Sequence, residues 1–154
     1  MYSNKKIIIS LIKKNISISI AESCTGGLLS KSFTDISGVS KIFNMGLITY
    51  SNKSKNLILN VPNSIIKKHG AVSKEVSIIM SKHLSKISKS DLTISTTGIA
   101  GPLGGSKYKP IGLGYISITY LKKTYTFKKK FNGSRHKIQK DAIKFCFQEV
   151  QKLI

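Results

Sequence analysis

The chain has 154 residues, enough for one domain with a sizeable core and too few for two ordinary ones. Lys and Arg number 26 against six Asp and Glu, a formal charge of +20, yet 40% of residues are hydrophobic and 21% charged, which excludes a disordered basic tail. Two cysteines, Cys24 and Cys146, are too few for the disulfide framework of a small secreted domain, so a reducing, cytosolic compartment is expected.

Met1 to Asn15 carries Ile8, Leu11 and Ile12 between lysines, the pattern of a short amphipathic helix. Its apolar run Ile7 to Ile12 is interrupted by Ser10 and too short for a membrane span or a signal segment, and no longer one follows. Ile16, Ile18 and Ile20 then alternate with Ser17 and Ser19, a strand with period two. Ala21 to Gly27 reads as a strand-to-helix turn, with the helix running from Leu28 through Phe33. Gly46 to Tyr50 is a second predicted strand, and Ser51-Asn52 the N-cap of a short helix through Leu59. Pro62 and Ser73 open two further helices, and Asp91 to Thr97 alternates into a third strand. Gly98 to Gly105 is too rich in glycine and proline for regular structure. Gly114 to Tyr120 and Tyr125 to Phe131 form a hairpin across Leu121 to Thr124, and Ser134 to Ile154 is a long amphipathic helix. No repeat or linker interrupts the chain. The expectation is a single α/β domain over residues 1–154, three layers deep, with a mixed β-sheet flanked by helices.

Four segments could carry chemistry. In Glu22-Ser23-Cys24-Thr25-Gly26-Gly27, a serine at a sharp turn can present its hydroxyl while the following helix offers unpaired N–H groups to an oxyanion or a phosphate. The plainer alternative makes Ser23 or Thr25 an N-cap and the glycines packing devices. Cys24 is a rival nucleophile, but no cue supplies the His and Asn or Asp partners a cysteine enzyme needs. In Tyr50-Ser51-Asn52-Lys53-Ser54-Lys55, Lys55 can act as a general base only if desolvation or nearby positive charge keeps it neutral, with Tyr50 able to relay a proton; otherwise Lys53 and Lys55 are a solvated pair. The glycines after Thr97 can bring N–H groups close to a ligand, or be mere turns. Arg135 is the only arginine among the 26 basic residues, and its forked donor grips phosphate or carboxylate as lysine cannot. His69, His83 and His136 have no metal-ligand spacing, so no metal is assigned. Lysines spread along the whole chain argue for nonspecific attraction to phosphates and against specific nucleic-acid binding.

Together, Ala21 to Gly27, Thr49-Tyr50-Ser51-Asn52 with Lys55, His69 to Ser73, Thr97 to Pro102 with Gly104-Gly105, and Lys109 to Gly112 resemble the CinA C-terminal domain family, in its order and over nearly the whole chain. The resemblance implies deamidation of nicotinamide mononucleotide to nicotinate mononucleotide and ammonia, a salvage step in NAD metabolism, with no cofactor and no metal. It makes Ser23 the nucleophile, Lys55 its base and Tyr50 an assistant. Thr25, Gly26, Gly27, Thr97, Gly98 and Arg135 become candidate substrate-binding residues, and a homodimer or larger homo-oligomer is implied. The family's Asn-Glu-Ala-Lys stands here as Asn52-Lys53-Ser54-Lys55, and its Gly-Asp-Arg as Gly133-Ser134-Arg135, so an acid is missing from each stretch. The reading from another class is a nucleotide-binding or regulatory module that keeps the pocket without turnover; a lysine-rich nucleic-acid binder is the third.

Overall fold

The computed structural model describes residues 2–154. Five strands form one open sheet in the order β2-β1-β3-β4-β5. They are β1 (Ile18–Glu22), β2 (Phe43–Ile48), β3 (Leu92–Gly98), β4 (Leu113–Tyr120) and β5 (Lys123–Lys130). Strands β2, β1 and β3 run parallel, whereas β4 pairs antiparallel with β3 and β5 antiparallel with β4, so the sheet is mixed. The helices are α1 (Tyr2–Lys13), α2 (Leu28–Thr34), α3 (Asn52–Leu59), α4 (Asn63–His69), α5 (Lys74–Ser88) and α6 (Arg135–Leu153).

Period two in the strands decides which side chains meet which helix layer. Ile18 and Ile20 of β1, Leu92 and Ile94 of β3, and Ile116 and Ile118 of β4 pack with Ile8, Leu11, Phe33, Cys146 and Phe147 under α1, α2 and α6. On the opposite face, Ala21 joins Leu59, Ile66, Val76, Met80 and Leu84 beneath α3, α4 and α5. A strand that alternates Ile with Ser ordinarily leaves its polar face in water. Here that face is covered. Ser77 and Ser81 of α5 make hydroxyl contacts of 2.7 and 2.8 Å with Ser117 and Thr119 of β4, and Thr93 and Ser95 donate to the main chain of Ser81 and Ser77. Small side chains let α5 approach closely, and pairing these hydroxyls with one another and with the main chain offsets the cost of burying them.

Three of the boundaries that depart from the sequence reading bear on the sheet and the site. Strand β2 covers Phe43–Ile48 and leaves Tyr50 in the following loop. The hairpin turn is two residues, Leu121 and Lys122, not four, and both take positive φ (48° and 68°), as a type I′ turn requires. Gly98 belongs to β3, paired with Gly114, so the irregular loop starts one residue later.

The connections place the site. Chain leaving β1 goes by α2 to β2 on one side; chain leaving β2 goes by α3, α4 and α5 to β3 on the other. Between the carboxyl ends of β1 and β3 the strand order reverses, and such a switch point opens a crevice in an open α/β sheet.

Candidate active site

Ser23 follows β1 directly, and its N–H donates to Thr96 O of β3 at 3.0 Å, so the nucleophile candidate is anchored to two central strands. Lys55 lies on the first turns of α3, whose start is fixed by a reciprocal capping box between Ser51 and Ser54. The two side chains converge: Lys55 Nζ is 3.0 Å from Ser23 Oγ. The amine also donates to Thr49 O at 2.8 Å and Tyr50 O at 3.2 Å, and Lys55 is only 1% exposed. Burial pulls its pKa down from the ordinary 10.5 to about 8. Neighbouring positive charge has no part in this, and Lys53 points to solvent.

That contact set settles what a neutral Lys55 would do. A neutral amine has two hydrogens and one lone pair. The carbonyls of Thr49 and Tyr50 take the hydrogens, leaving the lone pair for the Ser23 hydroxyl. Lys55 is oriented by these main-chain acceptors, with no carboxylate among its contacts. At the other departure, Ser134 caps α6 by accepting from Lys137 N.

Ser23, Tyr50, Lys55, Thr97, Gly98 and Arg135 line one cavity of about 180 Å³, together with Cys24, Ala71, Val72 and Ala100. Thr97 Oγ1 donates to Ala71 O at 2.8 Å and so holds the opposite wall. Arg135, the first residue of α6, spans the mouth: Nη1 donates to Gly101 O at 2.8 Å and Nη2 to the Tyr50 hydroxyl at 3.0 Å. Tyr50 thus reaches Lys55 through its carbonyl, while its half-exposed phenol faces Arg135 and touches neither Ser23 nor Lys55.

Three residues expected to touch substrate lie outside this lining. The Thr25 hydroxyl pairs with Thr96 Oγ1 at 2.8 Å in the interior, Gly26 faces solvent, and Gly27 spends its N–H on Glu22. Glu22 also corrects the expectation that the start of α2 is open to a ligand. Its buried carboxylate accepts from the N–H groups of Gly27, Leu29 and Ser30 and from the Ser30 hydroxyl, at 2.6–3.1 Å. What remains is the turn itself. Among the described residues neither the Cys24 N–H nor the Thr25 N–H has a hydrogen-bond acceptor. Burial pushes the Cys24 thiol up to about 11, so Cys24 stays protonated and is a poor nucleophile beside Ser23.

Sequence reasoning missed two further contacts. Lys109 donates to His69 O and, at 2.8 Å, to Val72 O, tying the loop after β3 to the cavity wall. Gln139 Nε2 donates to Cys24 O at 2.9 Å. It stands four residues after Arg135 on α6, a helical spacing that marks the face on which a second site-directed polar group can sit.

A family model for the CinA C-terminal domain matches residues 2–154. The chain belongs to the CinA C-terminal domain family. It is 44% identical over 151 residues to a competence-damage inducible protein of Caldanaerobacter subterraneus subsp. tengcongensis, covering 97% of this chain and 37% of the relative. A CinA-like protein of Kosmotoga olearia is 40% identical over 153 residues, covering 99% and 37%. The chain therefore spans little more than a third of the length of these curated relatives. Among solved structures, the competence/damage inducible protein CihA of Agrobacterium tumefaciens superposes with a TM-score of 0.93 at 27% identity, covering 98% of this chain and 95% of that one. A CinA superfamily protein of Escherichia coli gives 0.93 at 26%, covering 99% and 88%. The α/β architecture is the family's. No described helix is long and apolar enough to cross a membrane.

Proposed function

We propose that this CinA domain is a serine amidohydrolase that converts nicotinamide mononucleotide to nicotinate mononucleotide and ammonia. The buried Ser23–Lys55 contact, with both hydrogens of a neutral amine committed to carbonyls, carries the reading. Ser23 Oγ attacks the carboxamide carbon as its proton passes to Lys55 Nζ. The tetrahedral oxyanion draws on the N–H groups of the Ser23 turn, each donor contributing about 3 kcal/mol. Lys55 then protonates the departing nitrogen, ammonia leaves, and the nicotinoyl group remains on Ser23 as an ester. Water, deprotonated by Lys55, cleaves that ester and restores the serine.

The pyridinium ring of the substrate adds positive charge near Lys55 and so favours the neutral amine. Two of the five guanidinium donors of Arg135 are committed to Gly101 O and Tyr50 Oη, which leaves others at the cavity mouth for a phosphate oxygen.

Purified protein incubated with nicotinamide mononucleotide in an ammonia-coupled assay tests the reading. Turnover that disappears in Ser23→Ala and in Lys55→Met is the expected result. Saturable nucleotide binding without ammonia release would instead favour the nucleotide-binding module and overturn the hydrolase.

A further inference from the structure

We propose that the groove between the end of β5 and α6 is a docking surface for a single-stranded nucleic acid, held by its phosphate backbone. The proposal goes beyond the amidohydrolase reading and does not depend on it. Charge is distributed unevenly along the chain, for Leu92 to Lys140 contains no Asp or Glu. That stretch takes in β5, which ends in Lys128, Lys129 and Lys130, and the start of α6. Lysine on an edge strand can serve only to keep other strands away. Here, however, cations line both walls of a groove of about 440 Å³, Lys129 and Lys130 from β5 and Lys137 and Lys144 from α6. On the helix Lys137 and Lys144 stand two turns apart, about 10 Å, so the α6 wall presents charge along its length.

One acid lines this groove, Asp141, and it is committed to Lys137 at 2.6 Å. Lys129, Lys130 and Lys144 are exposed and have no carboxylate partner among the described residues. Lys129 is held over the Phe145 ring, 4.7 Å from its centroid, so one of these charges is placed before any ligand arrives. The half-buried Phe131 adds an aromatic ring to the lining. Opposed cations with a ring beside them suit a phosphodiester chain, whose phosphates are neutralised while a base stacks. A membrane surface fits worse, because no exposed large apolar side chain lines the groove to enter the acyl layer. A duplex is too broad for a concavity of this size. Arginine, which reads bases through a forked grip, is absent from the lining, so recognition is of the backbone and independent of sequence. The groove shares no lining residue with the Ser23–Lys55 cavity.

The test follows the fluorescence anisotropy of a labelled oligothymidylate with wild-type protein and two variants that each remove the same positive charge. One carries Lys129→Gln, Lys130→Gln and Lys144→Gln in the groove. The other carries Lys74→Gln, Lys82→Gln and Lys86→Gln on α5, across the sheet, where the lysines are equally exposed. The wild type should bind with a Kd of about 10⁻⁴–10⁻⁶ M near physiological salt, and mixed-sequence strands of the same length should bind alike. The groove variant should lose at least about tenfold in affinity, its slope of log affinity against log salt should be shallower by about 2, and the α5 variant should lose less than about threefold. Whatever rate of ammonia release the wild type shows, the groove variant should match it. Acetylation of the wild-type lysines, read by mass spectrometry, gives an answer even if a variant does not fold: the oligonucleotide should protect Lys129, Lys130 and Lys144 and leave Lys74, Lys82 and Lys86 reactive. Equal losses in the two variants, or uniform protection, would mean attraction by the net charge of +20 alone and overturn the groove. Tighter binding to duplex DNA, to phosphatidylglycerol vesicles or to polyglutamate than to the single strand overturns the assigned partner.

Discussion

Lys55 Nζ and Ser23 Oγ stand 3.0 Å apart although 32 residues separate them in the chain, and the amine's remaining contacts are uncharged carbonyls. Burial without a counter-charge is why the amine's pKa falls to about 8. Two pH dependences follow from the same cause.

The base works when neutral, so kcat/KM should rise with pH and level off above about 8. Lys55→Arg keeps the positive charge at every accessible pH and should lose about 10²–10⁴-fold in rate with no alkaline recovery. A pH–rate profile of the two proteins checks this; a flat wild-type profile between pH 6 and 9 would remove Lys55 as the base.

Stability follows the same group with a definite sign. The unfolded chain holds this proton up to the ordinary 10.5, the folded chain only up to about 8, so between these values the unfolded state binds more protons and folding gains as pH rises. Relative to Lys55→Met, in which the other lysines cancel, the wild type should gain on the order of 2–3 kcal/mol across that window. Urea denaturation of both proteins at pH 7.5 and pH 10.5 measures it.

Glu22 performs structural work for which its place in the motif gives no hint. Four donors from the start of α2 converge on its carboxylate, and Glu22→Gln would set an NH2 group against N–H donors inside the protein. The expected cost is about 3 kcal/mol, with turnover reduced because the Ser23 turn is built on this anchor. Chemical denaturation and the ammonia assay should both register the change.

Gly98 is constrained by space, its φ being ordinary. An added Cβ would lie 2.8 Å from Leu113 O, 3.1 Å from Cys24 Sγ and 3.1 Å from Gly114 Cα. Two of these neighbours are main chain of the paired strand and cannot swing aside. Gly98→Ala should therefore cost about 1–3 kcal/mol and push Cys24, next to the nucleophile, out of place. A melting curve unchanged from wild type would refute this.

Local chemistry was legible where it is local. Ile18 and Ile20 alternating with Ser19 gave β1, and Ser51, Ser73 and Ser134 marked the caps of α3, α5 and α6 because each bonds an N–H three residues on. The hairpin turn was not legible, since Leu121 and Lys122 adopt positive φ without being Gly, Asn or Asp and the cross-strand pairs enforce it. Strand β2 starts three residues ahead of its sequence pattern because Asn44 and Gly46 are weak strand formers, and pairing with β1 overrides that preference. At the site, spacing led to Ser23 and Lys55. It could not reveal that Glu22 fills the helix end, or that Thr25, Gly26 and Gly27 lie outside the cavity lining. Nor could it reveal that Gln139, 115 residues beyond Cys24, reaches its carbonyl. Such contacts are set by how α6 lies across the sheet.

Lys109 offers a test of how the cavity keeps its shape. Its ammonium joins the loop after β3 to the segment between α4 and α5 through His69 O and Val72 O, while Thr97 holds Ala71 from the other side. Ala71 and Val72 are wall and make no contact with Ser23 or Lys55 through hydrogen bonds, so loosening them should affect the fit of the substrate more than the reaction of bound substrate. In Lys109→Met the methylene stem is kept and the charge-assisted bonds are lost, at a cost of about 1–3 kcal/mol. KM should rise by roughly tenfold if about 1.4 kcal/mol of that appears in binding, with kcat within a factor of two or three. A fall confined to kcat would show instead that the wall positions the reacting carboxamide, and would move Lys109 from holding the cavity's shape to orienting the chemistry within it.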